Sequence, residues 1–559
     1  EKNITTEAQR KLKMENGKWK MSISNLSIFH CQFSIFNFLA LCLCVSVVNL
    51  SCGSKPTDLR TFIPTDALVY LETNDLGGAL TAVTENETFK AAAKTQPDFS
   101  ALAGMKLAIA VTGFETKEQQ VTEENSVLNF KPRFVAVAET NAWNYQALSF
   151  TENKLGEFIN ETYGGEVTLE TSEKHGGKYF IWTSQDGRKA FALVRGSLIF
   201  FGNDESAIEK CLAVSRGETD DIAKNPKITA LSADSLASGY VSTDGVAQIS
   251  NIAGISMAKT SSEESEVQSF IARVLPELLR NTVTDMSWTS TKTQWGIDDK
   301  YDIGLNPDVA KVANETLTAE NFQEYDFAEF VPLEFVSATR YNLIDPRLAW
   351  RSVLLTVQSK TDSLSGKLIA DFSSSFFEPY AIEDPELFLK SIDERVMTVK
   401  YDADGENAVA IASVKNASDL KKSIAKEINL AVPQEKQGEA DIWRSGDGEL
   451  AVAFTGNIVV VGDADTVWKC LTAKQSGENI TKIERFKRFE ITTASAITIA
   501  NEIDPAAAIV DTLGERKDET APLSQRSFTA TWFDEQGMHR ATLSSFGLIG
   551  SIIAQLGKE

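Results

Sequence analysis

A chain of 559 residues is too long for one ordinary core, and its 43% hydrophobic and 24% charged composition is that of a globular protein. Lysine and arginine total 55 against 78 aspartates and glutamates, a net charge of −23, which excludes nucleic acid as the main partner because no local basic patch offsets the repulsion. None of the 3 histidines has neighbours at zinc-ligand spacing, and the 6 cysteines, four of them within the first 52 residues, do not make a disulfide scaffold.

The N-terminal segment reads as an export signal. Lys18 and Lys20 precede "FNFLALCLCVSVVNLSCGS", in which Phe36 to Leu50 is almost wholly apolar. The run is shorter than the roughly 20 residues a spanning helix needs. Leu50, Ser51 and Cys52 resemble the end of a bacterial lipoprotein signal, where the cysteine is lipidated and becomes the new N-terminus. Asn49 departs from that pattern, which prefers an aliphatic residue there. We expect residues 1–52 to be a leader, Cys52 the lipidation site and the only site residue, and a lipid anchor the tie to a membrane. Gly53 rather than aspartate resembles lipoproteins sent on to an outer membrane. Cys31, Cys42, Cys44 and Cys52 all fall in the leader, so the exported part keeps only Cys211 and Cys470.

The exported part is written twice. "YFIWTSQDGRKAFALVRGSLIFFGNDESAIEKCL", from Tyr179, is answered by "ADIWRSGDGELAVAFTGNIVVVGDADTVWKCL", from Ala440. Ile181 and Trp182 match Ile442 and Trp443; Ser184, Asp186 and Gly187 match Ser445, Asp447 and Gly448; Gly196, Gly202 and Cys211 match Gly456, Gly462 and Cys470. The unit predicts a three-strand meander followed by a helix opened by carboxylates. Other landmarks recur in the same order. Phe62, Ile63 and Pro64 fall on Phe330, Val331 and Pro332, Asn141 on Asn416, and a late alternating hairpin appears in both copies. The expected fold is α+β: two tandem homologous halves, residues 53–318 and 319–559, each largely antiparallel sheet with packed helices. The two similar surfaces would meet around a pseudo-twofold axis.

Chemistry is sparse. His175 and His539 sit in turn or hairpin contexts without ligand-spaced neighbours, so no metal site is expected. No phosphate-binding loop, dinucleotide fingerprint or nucleophile elbow occurs, and no cofactor or catalytic residue is expected. Asp402 and Asp404, beside Gly405, read as a hairpin turn rather than a calcium loop. Glu263, Glu264 and Glu266 read as the first turn of a helix. Trp182 and Trp443, at matched strand positions, read as core filling rather than sugar-stacking aromatics. Cys211 and Cys470 read as buried small hydrophobes in one helical slot. The terminal "FGLIGSIIAQLGKE" reads as an amphipathic helix docked on its own domain.

The start of each repeat, Phe62 to Asn74 in the first, and the later strand-glycine-strand-Gly-Asp element resemble a family of uncharacterised exported bacterial proteins. These are duplicated α+β envelope lipoproteins carried as a domain of unknown function. The resemblance implies a fold and an address, outer membrane or periplasm, and no catalytic residues. The expected function is therefore that of a bacterial envelope lipoprotein, non-enzymatic, binding an envelope protein or a small ligand. The alternative is an envelope hydrolase using carboxylates in a cleft between the halves.

Overall fold

The alternating apolar stretches form strands, and every strand pairing is antiparallel. The computed structural model describes residues 57–556 apart from 121–125, 229–231, 233, 262–264, 318–326, 372, 403–404, 484–493, 503, 519–522 and 524. Its strands join in one sheet of 20. In chain order the first ten are β1 (Val69–Thr73), β2 (Lys106–Gln120), β3 (Ser126–Glu139), β4 (Thr168–Lys174), β5 (Gly177–Thr183), β6 (Lys189–Arg195), β7 (Leu198–Gly202), β8 (Ser235–Val241), β9 (Val283–Thr293) and β10 (Gly296–Leu305). The rest are β11 (Ser337–Asn342), β12 (Ile392–Lys400), β13 (Ala408–Val414), β14 (Glu435–Gln437), β15 (Ala440–Arg444), β16 (Leu450–Thr455), β17 (Ile458–Asp463), β18 (Ala496–Glu502), β19 (Gln525–Phe533) and β20 (Gly537–Ser544). The fold is α+β.

Across the sheet the order is β4-β5-β6-β7-β3-β2-β1-β8-β9-β10, then β20-β19-β18-β11-β12-β13-β17-β16-β15-β14. Read from either end, the two sets of ten follow the same path and meet at β10 and β20. The register at that seam is self-consistent under exchange. Laying Gly296 on Gly537 turns the pair Ile297–Ser544 into the pair Met538–Ile303, and both pairs are present.

The residues matched between the two sequence stretches do local work. Ser184 and Ser445 each bond the carboxylate two residues on, and Gly187 and Gly448 close the turns at φ 82° and 81°. Gly202 and Gly462 are held by a neighbouring strand. A Cβ on either would lie 2.5 Å from the Phe134 carbonyl oxygen or 2.1 Å from that of Ala408. These two contacts also fix the alignment of the strands beside them. Val135 pairs with Gly202, and Val409 with Gly462, so Asn141 falls on Lys415 rather than on Asn416. The sequence match of the two asparagines is thus one residue out. Asn416 caps a helix, whereas Asn141 sits at φ 52° and reaches the Gly104 carbonyl.

Each half is buried on both faces. In the first half one face packs under the helix Glu205–Ser215 with Tyr70, Val135 and Leu193. The other packs under Leu76–Thr84 and Gly156–Thr162. The second half repeats the first arrangement with the helix Ala464–Ser476 over Val409 and Val460. The terminal helix Gly547–Leu556 departs from expectation. It docks, but on the other half: Phe546, Ile553 and Ala554 join the core formed by Leu80, Val83 and Ile109. Asp504–Gly514 accompanies it, with Ile509 and Val510 buried in the same core. Burying each large apolar side chain there contributes roughly 1.5–3 kcal/mol. Reciprocally, the first half's helix Pro307–Thr316 packs on the second half's Pro346–Lys360 and on β20, and Thr316 and Ser352 share a hydrogen bond of 2.7 Å.

Candidate functional site

The seam concentrates the titratable groups. Strand β10 carries Asp298, Lys300 and Asp302 on one face and Asp299 on the other, since side chains alternate. Directly opposite Asp302 stands His539 of β20. Its Nδ1 lies 2.6 Å from Asp302 Oδ1, its Nε2 lies 3.0 Å from Asp534 Oδ2, and its ring stacks on Trp532 with centroids 5.5 Å apart. Burial lowers the imidazole pKa, but the bonds to Asp534 and Asp302 and their charges outweigh it, so the net shift is upward. The two carboxylates address opposite ring nitrogens, so they do not converge on a point where one ion could bind the imidazole as well. Among the described residues no group of three or more histidine, cysteine, aspartate or glutamate side chains could hold a metal ion.

Asp299 is 1% exposed. Its Oδ1 accepts from Trp288 Nε1 at 2.9 Å and its Oδ2 from the Leu548 backbone N–H at 2.7 Å. Burial raises its pKa to about 6 despite these bonds. Such a value suits a general acid, but both oxygens are occupied by donors of the fold. Glu72 is the second buried carboxylate with a raised pKa, again through burial. Tyr70 donates to it at 2.9 Å and Ser238 at 3.1 Å. Glu72 shares the Tyr70 face and Asp299 the Ile297 face, and these belong to different cores. Asp298 shares the face of Glu72, yet β8 and β9 intervene, so the two are three strand spacings apart, about 14 Å. Glycoside hydrolysis by paired carboxylates needs about 5–9.5 Å. These three carboxylates do not form such a pair.

The remaining candidates resolve into structure. Cys211 and Cys470 are both free and fully buried, in separate cores, and burial pushes each thiol up to about 12. Trp182 stacks on Phe180 at 5.6 Å and Trp443 meets Phe454 edge-on at 5.6 Å, both inside cores. His175 is a turn residue at φ 56° with Nε2 2.8 Å from Glu209. Asp402 accepts the N–H groups of Gly405 and Asn407, closing the β12–β13 turn. Glu266 lies in the helix Ser265–Thr282; Glu263, Glu264, Asp404 and Cys52 fall outside the described residues.

What the sequence did not single out is an exposed apolar stripe on the second half. Leu348 and Leu355 stand seven residues apart on one face of the helix Pro346–Lys360, with Leu355 64% exposed, and Ile344 is exposed just before the helix. Leu364 and Phe376 are also exposed, and Phe376 meets Trp350 of the same helix edge-on at 6.4 Å. Leu348 and Leu355 recur at helical spacing, but periodicity cannot say which face is covered, and Ser352 between them is buried against Thr316.

No family model matches the chain, and no curated protein matches it. Two solved structures align, crystal forms IV and III of TP0453, at 12% and 11% identity. They cover 48% and 49% of this chain and 89% and 92% of theirs, each with a TM-score of 0.22. A likeness at that level places neither fold nor function. Among the described residues no helix is long and apolar enough to cross a membrane.

Proposed function

We propose that this chain is an exported bacterial envelope lipoprotein, anchored through Cys52, that works by binding a partner rather than by catalysis. The exposed stripe on Pro346–Lys360 carries the reading. Its positional counterpart, Leu76–Thr84 after β1, has Leu76, Leu80 and Val83 buried under helices of the second half. The second half offers the same kind of surface, and its outer face is open. Exposed apolar side chains on one helix face, Leu348 and Leu355, support an interaction site. The partner that fits is an amphipathic helix of an envelope protein, because apolar helices occupy the counterpart position. Arg347 and Arg351 flank the stripe, both paired with Glu386, and supply a polar rim.

A photo-crosslinking residue at Leu355, in cells expressing the full chain, tests this. A discrete adduct is expected from position 355 and lost when Leu348→Glu is added. The same adduct pattern from the exposed position Lys426 would refute a specific surface. Mass spectrometry of the mature N-terminus from membrane fractions tests the anchor separately; an unmodified chain starting elsewhere than Cys52 would remove it.

A further inference from the structure

Thr57 is tied to a ledge of exposed aromatics. Thr57 Oγ1 donates to Glu139 Oε2 at 3.4 Å, and Lys106 Nζ donates to the Thr57 carbonyl at 3.0 Å. The other oxygen of the same buried carboxylate accepts the Asn141 N–H at 3.1 Å. Asn141 in turn bonds the Gly104 carbonyl at 2.8 Å, and Gln146 Oε1 accepts the Trp143 N–H at 3.0 Å. Glu139 therefore ties Thr57 and the loop Asn141 to Trp143 to one point. Trp143 is 55% exposed and Tyr145 68% exposed, on a backbone held from both sides. Neither is needed to fill a core.

We propose that Trp143 and Tyr145 seat in the headgroup region of the bilayer to which Cys52 is anchored. The inference rests on the lipoprotein reading for its setting. Only four residues separate Cys52 from Thr57, so five residue steps of roughly 3.5 Å give a reach of at most about 18 Å. An acyl chain on Cys52 holds this end of the molecule against the membrane, and the side chains presented there are the two types that prefer the interface. Indole and phenol rings place an apolar body toward the acyl boundary and a polar tip toward water. With a net charge of −23, the protein gains nothing from anionic lipid. The contact is apolar and insensitive to salt. It orients the sheet relative to the membrane, which a tether at one point alone would not do.

The test uses the chain from Cys52 onward, with Cys52 coupled through its thiol to a maleimide lipid in phosphatidylcholine vesicles. Cys211 and Cys470 are buried and do not compete. Brominated phosphatidylcholine quenches tryptophans that reach the interface. Relative to the parent, Trp143→Phe should lower the quenchable emission at least two-fold, Tyr145→Trp should raise it, and 0.5 M salt should leave both unchanged. Equal quenching in the parent and Trp143→Phe overturns the proposal. So does Trp143 emission that lipid leaves untouched but an envelope protein extract shields from acrylamide, which assigns the ledge to a protein. Because coupling is chemical, these outcomes do not depend on native lipidation, which the N-terminal mass measurement decides on its own.

Discussion

Asp299, in the last strand of the first half, accepts a hydrogen bond at 2.7 Å from the backbone N–H of Leu548, at the start of the last helix of the second half. The carboxylate meets the positive end of that helix and satisfies one of its free N–H groups. Trp288 holds the other oxygen. The seam is thus latched from inside the sheet, and the latch is a buried charge.

That latch carries a pH signature. Its folded pKa of about 6 stands above an unfolded value near 3.9. Protonation therefore favours the folded state: the contribution is largest below about pH 4 and declines as pH rises through 6. Two pKa units amount to about 3 kcal/mol as an order of magnitude. In urea titrations of the parent and Asp299→Asn between pH 4.5 and 7.5, the parent should lose stability relative to the variant as pH rises. A pH-independent difference would show that Asp299 does not titrate in this window. Asp299→Ala, which leaves the Leu548 N–H and the Trp288 indole without a partner, should cost about 2–4 kcal/mol at pH 4.5 and less as pH rises through 6.

His539 predicts a separate window at the same seam. Its pKa is raised in the fold, so its contribution is complete below about pH 6.5 and is lost as pH rises through the folded value. Asp302 and Asp534 are half or more exposed, so solvent screening keeps the effect below about 1 kcal/mol. Asp302→Asn should move the imidazole titration, followed by proton NMR, to lower pH. No movement would mean that the cross-seam pair is not formed in solution.

Much of the architecture was legible because it rests on short-range chemistry. The hairpins and the carboxylate-opened helices follow from Ser184, Asp186, Gly187 and their counterparts, and from period-two and period-3.6 patterns. The destination of the last helix was not legible. "FGLIGSIIAQL" announces a face to bury but carries no information on whose core receives it, and the answer is Leu80 and Val83 of the other half. Asp299 was hidden for a related reason. In "GIDDKYDIGL" it looks like any polar residue of an alternating strand, and only the arrival of Leu548 makes that position a cap. Asn141 and Asn416 matched by identity, whereas strand register, set by Gly202 and Gly462, decides equivalence.

Those two glycines give a direct test of equivalence. An alanine Cβ at either meets a carbonyl oxygen of the neighbouring strand well inside contact distance, and relief requires the strands to part. Gly202→Ala and Gly462→Ala should each cost about 2–4 kcal/mol in chemical denaturation, within the range of strained core substitutions. At Gly196 a Cβ meets open space and only the φ of 66° opposes it, so Gly196→Ala should cost about 1 kcal/mol. Equal small losses at all three would mean that strand proximity is not what requires glycine at 202 and 462.

The cysteine recurrence has the same structural origin, and it yields a prediction that separates packing from reactivity. Both thiols are fully buried, one beside Ile208 and Leu212, the other beside Val467 and Leu471, and burial holds each near a pKa of about 12. At pH 8 only about one thiol in ten thousand is ionised at such a value, so an aromatic disulfide reagent has neither access nor a nucleophile. Starting from Ser54, the native chain should release no thiol equivalents over an hour, and two in denaturant. Because the two sites lie in different cores, partial unfolding should expose them at different denaturant concentrations. Asp299→Ala should leave Cys470 protected, since its core draws only on residues of the second half. Rapid labelling of either thiol in the native chain would mean that a helix slot read here as packing is open to solvent.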